Sequence, residues 1–439
     1  MGTVTVDQAK LVMNTFMTVF EDNLVAGQAV SWNEHAGELD DNNKLTVVEQ
    51  IGPKYKITRT ENGVKDLSAG TDGTVFGSEQ FSITGTFNAN MGWGDFVKIR
   101  DIGEARENKA LNGAATSLAE QIDAYILGIA ATASDEWTGN VGQVVSNYAD
   151  VAAGYTRLKE EGVGDNGLFA ILSHYDRGAL GDSIIQKPAL SGVASNVYQK
   201  GFSQTVAGID AEFTNSLPVM TTGTRPSAAA TVNGANQNVN YASVAISNAN
   251  GQYLTQTMVV AGLGAGGTIK AGEIFTLPTV FAFDQRKQAL VNPPRLQQFT
   301  VVSDVVADGG GAATIRFFPA LIVPGSGAGD NVNINSAHAT VSNAPANGAV
   351  ITFLGAANTG YGPRVIMQKE AISVDTIPLI MPATGIAMRK KLSRIPLTVR
   401  MWQHSDFNTG AHNVRFDVAM NANIRDRRRI VRISGGAAF

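Results

Sequence analysis

KIRDIGEARENKALNGAATSLAEQIDAYILGIAATA, residues Lys98 to Ala133, decides how the rest of the chain is read. Leu111, Leu118, Ile122, Tyr125 and Ile129 recur at helical gaps and put one apolar stripe on one face. Directly upstream lies a β-rich stretch, Leu45 to Phe87. Leu45 to Ile51 and Tyr55 to Arg59 alternate like strands around Gly52-Pro53, and Phe81, Ile83, Gly85 and Phe87 alternate again. Between them, Ser68 to Gly77 (SAGTDGTVFG) reads as a flexible tip. A protruding two-stranded arm that feeds a long amphipathic helix suits a subunit that reaches its neighbours better than it suits a soluble enzyme.

The 439 residues exceed one ordinary core, so about two or three domains are expected. Charged residues make up 16%, against roughly 25% in ordinary globular proteins. Such a surface is suited to facing other protein, and a β-rich loop protein has the same composition. The formal net charge of -4 argues against a protein whose main task is coating nucleic acid, though not against a container for it with local basic patches. With no cysteine, disulfides, thiolate metal sites and cysteine nucleophiles are excluded. No apolar run reaches the ~18 residues of a membrane span. The acidic, interrupted start MGTVTVDQAKLVMNTFMTVFEDNL is not expected to be a signal peptide, and Val6 stands where myristoylation needs Ser or Thr.

Outward from the central helix, Val6 to Val25 is expected to be an amphipathic helix with Leu11, Phe16, Val19 and Phe20 on its apolar side. Asn23 to Asn43 is a polar connector in which Trp32 is a local anchor. Ala149 to Glu161 reads as a second helix, Leu168 to Ser173 as a buried strand and His174 to Gly181 as a helical turn, while Val206 to Phe213 and Leu217 to Met220 are strand-like. At Thr221 the character changes. To about Tyr361 there is almost no helix signal, only short alternating segments (YASVAIS, YLTQTMVV, EIFTLPTVFAF, LQQFTVVSDVV, ATIRFFPAL, GAVITFL) set off by Gly, Asn and Pro. Turn signals every ten residues or so indicate a small β-barrel or sandwich. Thr221 to Pro226 and Gly360 to Pro363 look like the seams of an insertion, and a final strand pair is expected around Ser393 to Gln403 and Asn413 to Asn423.

Candidate chemistry is sparse. Gly262, Gly264 and Gly267 spell GxGxxG, but the following TIKAGEIFTLP has a hairpin pattern where a dinucleotide site needs a helix, so a glycine-rich β-turn is favoured. His35, His174, His338, His404 and His412 lack metal-ligand spacing, although His404 and His412 share one hairpin. His174-Tyr175-Asp176 lacks a nucleophile motif and reads as a helix start with Asp176 in its favourable first turn. The basic run Arg425, Arg427, Arg428, Arg429 and Arg432 admits three readings: contact with DNA phosphates, ion pairs between subunits with acids such as Glu104, Glu107 and Glu120, or a solvated strand end. No catalytic residue, cofactor or metal is expected.

The order of parts resembles the tailed-bacteriophage major capsid protein family, the Hong Kong 97 fold. Within it, the layout is similar to the coat proteins of Salmonella-type short-tailed phages, which carry an inserted β-barrel. The closer likeness rests on TVAGID (Thr205 to Asp210) with LPV (Leu217 to Val219), on GTIKAGEIFTLPTVFAFD (Gly267 to Asp284), on LQQFTVVSDVVADGGGAATIRFFPALI (Leu296 to Ile322) and on NANIRDRRRIVRI (Asn421 to Ile433). The resemblance implies an α+β fold with an N-terminal arm at 1–43, an E-loop β-hairpin arm at 44–96, and a spine helix with part of the P-domain at 97–148. It continues with the first half of the A-domain at 149–220, the inserted β-barrel domain at 221–362, and the P-domain return with the second A-domain half at 363–439.

The function it implies is that of a major capsid protein, a non-enzymatic structural protein of the virion. Such a protein self-assembles into hexamers and pentamers of an icosahedral head around a double-stranded DNA genome. Implied partners are further copies of the chain, a scaffolding protein, a portal protein, the packaged DNA by weak non-specific contact, and a decoration protein, with assembly in the host cytoplasm and no membrane. Phe76, Phe81, Phe87, Lys54, Lys56, Arg427, Arg428 and Arg429 are the candidate inter-subunit contacts. Lys54, Lys56 and Lys65 would serve as cross-linking lysines only with an Asn acceptor and a Glu in an apolar pocket, which relatives with the insertion generally do without. One departure is Thr231 to Asn240 (TVNGANQNVN): relatives carry an acidic bridging loop there, and this stretch is uncharged. Gly103 and Gly113 are expected to let the spine helix bend. The alternative function is a β-rich phage adhesin or receptor-binding protein; an oxidoreductase built on the glycine turn is a third reading.

Overall fold

The computed structural model describes residues 6–35, 37, 45–57, 73–92, 108–185, 205–225, 230–405 and 412–437. Most of the expected tip (68–72), Arg59, Lys65, and the stretch 98–107 with Gly103, Glu104 and Glu107 lie outside the described residues. The chain forms two compact units, each gathered from separated stretches. Unit 1 takes Met1–Val47, Ser82–Ile129 and Ile372–Arg425, and unit 2 takes Val48–Phe81, Ala130–Ala371 and Asp426–Phe439.

Unit 1 is built on a six-stranded sheet. The 13-residue strand His412–Ile424 organises it. Its first part pairs with Thr398–Ser405 on one side and Thr86–Gly92 on the other, and its last part pairs with Ile372–Thr376. Ile386–Lys391 extends the sheet beyond Thr398–Ser405, and Ser31–Glu34 adds a parallel edge against Ile372–Thr376. The N-terminal helix Val6–Asn23 buries Ala9, Val12, Met13, Phe16, Met17 and Phe20, a spacing of three and one that repeats along one face. Leu11 and Val19, expected on that side, are only half-buried, because the stripe is centred on Phe16 and Phe20 and leaves them at its margins. Phe16 stacks on Phe416 with ring centroids 3.8 Å apart. Trp32 is the expected local anchor, its indole N–H donating to the Gly27 carbonyl at 2.6 Å.

The long helix is Lys109–Ala133, started by the Asn108 side chain, which accepts from the Leu111 N–H at 2.9 Å. Leu111, Leu118, Ile122 and Ile126 are buried, and Tyr125 is half-buried. Polar contacts supplement the stripe. The buried Asp123 carboxylate accepts from the Val25 and Gly27 N–H groups at 2.7 and 2.9 Å, and its burial pushes its pKa up to about 6. The Tyr125 hydroxyl donates to Asn421, Asn421 donates to Asn423, and Asn423 donates to Asp375, which also meets His35 at 2.8 Å. Each of these polar groups thus finds a partner, as a low-dielectric interior requires.

Unit 2 contains two further six-stranded sheets. The first has the order Glu136–Thr138, Ile430–Ile433, Arg364–Gln368, Leu168–Leu172, Ile209–Phe213, Thr205–Val206. The helix Tyr148–Glu160 lays Val151 and Leu158 into its core with Ile366 and Ile433. Gly154 allows the close approach: a Cβ there would sit 2.6 Å from Ile433 and 2.7 Å from Ile366. An Asn147–Asp150 capping box opens that helix. Asp176 has the expected place in the first turn of His174–Ile185, accepting from the Ser173 N–H at 2.9 Å and from Arg364 at 2.9 Å.

The second sheet has the order Thr231–Val232, Gln256–Ala261, Ala313–Phe318, Leu296–Val301, Ile274–Phe281, Thr352–Phe353. Phe275, Phe299 and Phe317 fill its core at ring spacings of 5.4 to 5.6 Å. Just before Thr352, the backbone also bonds to the opposite end of the order: Val232 N–H donates to the Ala349 carbonyl and Ile351 N–H to the Ala230 carbonyl. Two helical pieces, Tyr241–Val244 and Asn331–Ala337, lie in the stretch that shows almost no helix signal, and the first corrects the reading of YASVAIS as a strand-like segment. They carry no amphipathic signature. Asn335 joins them instead, its side-chain oxygen accepting from the Tyr241 N–H at 2.8 Å and its amide donating to Asn240. Leu217 to Val219 is not a strand; pairing begins at Met220–Thr221, which lies antiparallel to Gly360–Tyr361.

Candidate assembly surface

No group of three or more His, Asp or Glu side chains among the described residues could hold a metal ion. The glycines of GxGxxG form a turn between Gln256–Ala261 and the short strand Thr268–Ile269, with Gly262 and Gly264 in left-handed conformations (φ 83 and 74) and no helix following. A dinucleotide fingerprint needs that helix, so this turn is a structural one.

The arm is a pair of strands, Leu45–Ile51 and Gly77–Ile83. Tyr55 to Ile57, expected to continue it, is not in a strand. The arm is anchored at its root. Ser78 N–H donates to the Ala245 carbonyl, and Ser247 N–H donates to the Ser78 carbonyl, both at 2.9 Å. Gly77 lies so close to Tyr253 that a Cβ would sit 2.7 Å from its ring. Next to it, the buried Glu79 carboxylate accepts from the Gln252 N–H at 3.0 Å. Burial raises the pKa of Glu79 to about 7, although the neighbouring N–H groups and Arg427 oppose the rise.

The predicted contact residues divide sharply. Phe76 is 59% exposed, and it is joined by Val48, Tyr55 and Ile57, exposed by 60%, 53% and 82%. Sequence reasoning missed these three. For Val48 the available signal was strand phase: it falls on the face opposite Leu45, Val47 and Ile51, and the strand keeps that alternation. Phe81 is buried within its own chain, and Phe87 packs edge-on against Tyr125 at 5.3 Å. Lys56 is half-buried. Lys54 is exposed and its ammonium donates to Gln285, while burial of that charge together with the Arg428 and Arg286 cations pushes its pKa down to about 8.

The arginines are engaged inside the chain. Arg427 is buried and donates to the Gly251 carbonyl through Nε and Nη2 at 3.1 and 2.9 Å. Arg428 grips Asp426 with two bonds of 2.9 and 3.1 Å, and Arg429 donates to Gln368 and Glu370 at 2.9 Å. Arg432 is only 1% exposed, lies 4.5 Å from the Trp137 ring centroid and donates to the Gly272 carbonyl at 2.6 Å. Burial lowers its pKa to about 9. The reading of this run as a solvated strand end therefore does not describe Arg427 or Arg432.

A family model described as P22 coat protein, gene protein 5, matches residues 1–429. A search of curated proteins finds no match. Among solved structures, the chain is similar to the capsid of cyanophage P-SCSP1u, with 8% identity over 93% of this chain and 87% of that one and a TM-score of 0.40. It is similar to the mature capsid of bacteriophage PhiM1, with 11% identity over 93% and 86% and a TM-score of 0.40. A structure from Mycobacterium phage Che8 matches at 10% identity over 90% and 85%, with a TM-score of 0.37.

Proposed function

The chain belongs to the P22 coat protein family, and from that premise we propose how its parts build a shell. It is a major capsid protein, a structural component of the virion that forms an icosahedral phage head. The observation that carries this is the match of one coat-protein family over residues 1–429.

In the proposed reading the fold is of the Hong Kong 97 type, and 221–362 is a β-barrel inserted into an α+β body. The pairing of Met220–Thr221 with Gly360–Tyr361 supports that division, because it brings the two ends of the stretch side by side. The bonds of Ala349 and Ile351 to Val232 and Ala230 support closure, since they join the two ends of the strand order. The chain acts without catalysis. Copies assemble into pentamers and hexamers through contacts that are numerous and individually weak, and head-to-tail contacts close into rings when the rotation fits. The arm rests on an adjacent copy. The open apolar side chains Val48, Tyr55, Ile57 and Phe76 supply that contact, because their exposure in a lone chain is unfavourable by about 25 cal/mol per Å² of apolar surface. A scaffolding protein, a portal and packaged double-stranded DNA complete the head, which is assembled in the host cytoplasm and accepts a decoration protein.

Electron microscopy of the purified chain, alone and with its scaffolding protein, tests this reading. Hollow shells or ring-shaped capsomers are expected. A uniform population of monomers under every assembly condition would overturn it.

A further inference from the structure

Unit 2 holds a cleft of about 450 Å³ whose walls carry Lys54, Arg286, Arg428 and Arg429. Three carboxylates, Glu161, Glu370 and Asp426, face the same space, so cations are in excess. The cations are unevenly satisfied. Asp426 holds Arg428 in a two-bond grip, and Glu370 takes Arg429. Lys54 and Arg286 form no ion pair with any described carboxylate. Arg286 donates to the Lys159 carbonyl at 2.9 Å and packs against the backbone of Gly162. The Lys54 ammonium and the Arg428 guanidinium converge on one neutral oxygen, Oε1 of Gln285. Two cations sharing one uncharged acceptor form a site in which a multivalent anion would be the better partner, since charge-assisted bonds are roughly twice as strong as neutral ones.

We propose that this cleft binds a phosphate group, with Lys54 and Arg286 as its principal ligands and Arg428 as a fixed positive wall. The proposal rests on the coat-protein reading only in choosing nucleic acid as one source of that phosphate; free inorganic phosphate is the other. Neutral His338 contributes no charge beside Lys54: its pKa lies near 3, lowered by burial first and then by the Lys54 and Arg428 cations. Glu161, raised to about 7 by burial, loses its charge as the pH falls, and Lys54, at about 8, gains one. Anion binding therefore strengthens toward acid pH.

The test uses the full-length chain and calorimetric titration. Sulfate serves as the first probe because its charge is constant across this range. Saturable binding is expected, tighter at pH 6 than at pH 8, and weakened by roughly a hundredfold in Lys54→Met/Arg286→Met, the loss of two charge-assisted contacts. Inorganic phosphate and a short single-stranded oligonucleotide then distinguish the sources: displacement of sulfate by the oligonucleotide assigns the site to a nucleic-acid backbone, and displacement by phosphate alone assigns it to the free ion. Should the double variant fail to fold, acetylation of Lys54 in the wild-type chain read by mass spectrometry gives an independent measure, and phosphate is expected to slow it selectively. Absence of saturable binding, or binding unchanged in a folded double variant, overturns the proposal. Shells that assemble yet bind no anion would refute this site alone and leave the coat-protein reading standing.

Discussion

Glu79 and Arg427 grip opposite groups of one short loop: the Glu79 carboxylate accepts from the Gln252 N–H, and the Arg427 guanidinium donates twice to the Gly251 carbonyl. Both side chains are buried, and the loop between them carries Tyr253, against which the arm's Gly77 is pressed. An arginine at the far end of the chain thereby fixes the root of an arm that begins hundreds of positions earlier.

Acid is expected to stabilise the fold at this clamp, by relieving the burial of the Glu79 charge. Glu79 holds its proton to about pH 7 when folded, against 4.5 in an ordinary exposed environment. Below 4.5 both states are protonated; as the pH rises to about 7 the unfolded chain releases a proton that the folded chain keeps, so stability falls across that window. The full difference is on the order of 3 kcal/mol. Urea unfolding of wild type between pH 4.5 and 8 should show the decline, and Glu79→Gln should flatten it. An equal slope in both proteins would assign the pH dependence elsewhere. Asp123 and Glu161 are raised for the same reason and leave a residual slope in the variant.

Arg427→Met removes the other half of the clamp and strands the Gly251 carbonyl in the interior. The expected loss is about 2 to 4 kcal/mol, well above the near-zero effect of removing a solvated surface arginine. Denaturant midpoints for Arg427→Met and for a matched exposed substitution, Lys10→Met, decide between the two roles.

Two helical glycines separate propensity from packing. Gly113 is exposed in Lys109–Ala133, and a Cβ there meets nothing within 4 Å, so Gly113→Ala should stabilise by ~1 kcal/mol. Gly154 gains the same propensity but faces Ile366 and Ile433, so Gly154→Ala should instead destabilise, by about 1 to 3 kcal/mol. If Gly113 also serves as a hinge, its alanine variant should slow shell expansion while raising the melting temperature.

The sequence was legible where periodicity and burial coincide. The stripe of Leu111, Leu118 and Ile122 located the long helix, and the run of short alternating segments located the sheet around Phe275, Phe299 and Phe317. Legibility ended where tertiary contacts override local type. Arg427 and Arg432 look like surface residues by composition, and only the carbonyls of Gly251 and Gly272 with the Trp137 ring explain their burial. The helical turns at Tyr241 and Asn331 rest on one asparagine, Asn335, rather than on a repeating stripe. Phe81 and Phe76 share a residue type and a stretch of chain, yet one lies on the buried phase of Gly77–Ile83 and the other is open just before that strand begins.

The exposed side chains of the arm should matter to assembly and not to the subunit. Ile57 and Phe76 contribute little to the fold of the isolated chain because most of their surface already faces water. Ile57→Asp/Phe76→Asp should therefore leave the unfolding free energy within about 0.5 kcal/mol of wild type, the usual range for surface changes. On an adjacent copy the same charges would be buried unpaired, at a cost of several kcal/mol per contact repeated around every ring. Light scattering of the purified chain under assembly conditions is thus expected to show a large rise in the critical concentration for shell formation. Phe81→Ala should behave in the opposite way: this buried side chain supports its own chain, so its loss should lower stability by about 3 to 5 kcal/mol and affect assembly only through unfolding. If both variants assembled with wild-type threshold while only Phe81→Ala unfolded early, the arm would make its contacts through its backbone or through other side chains.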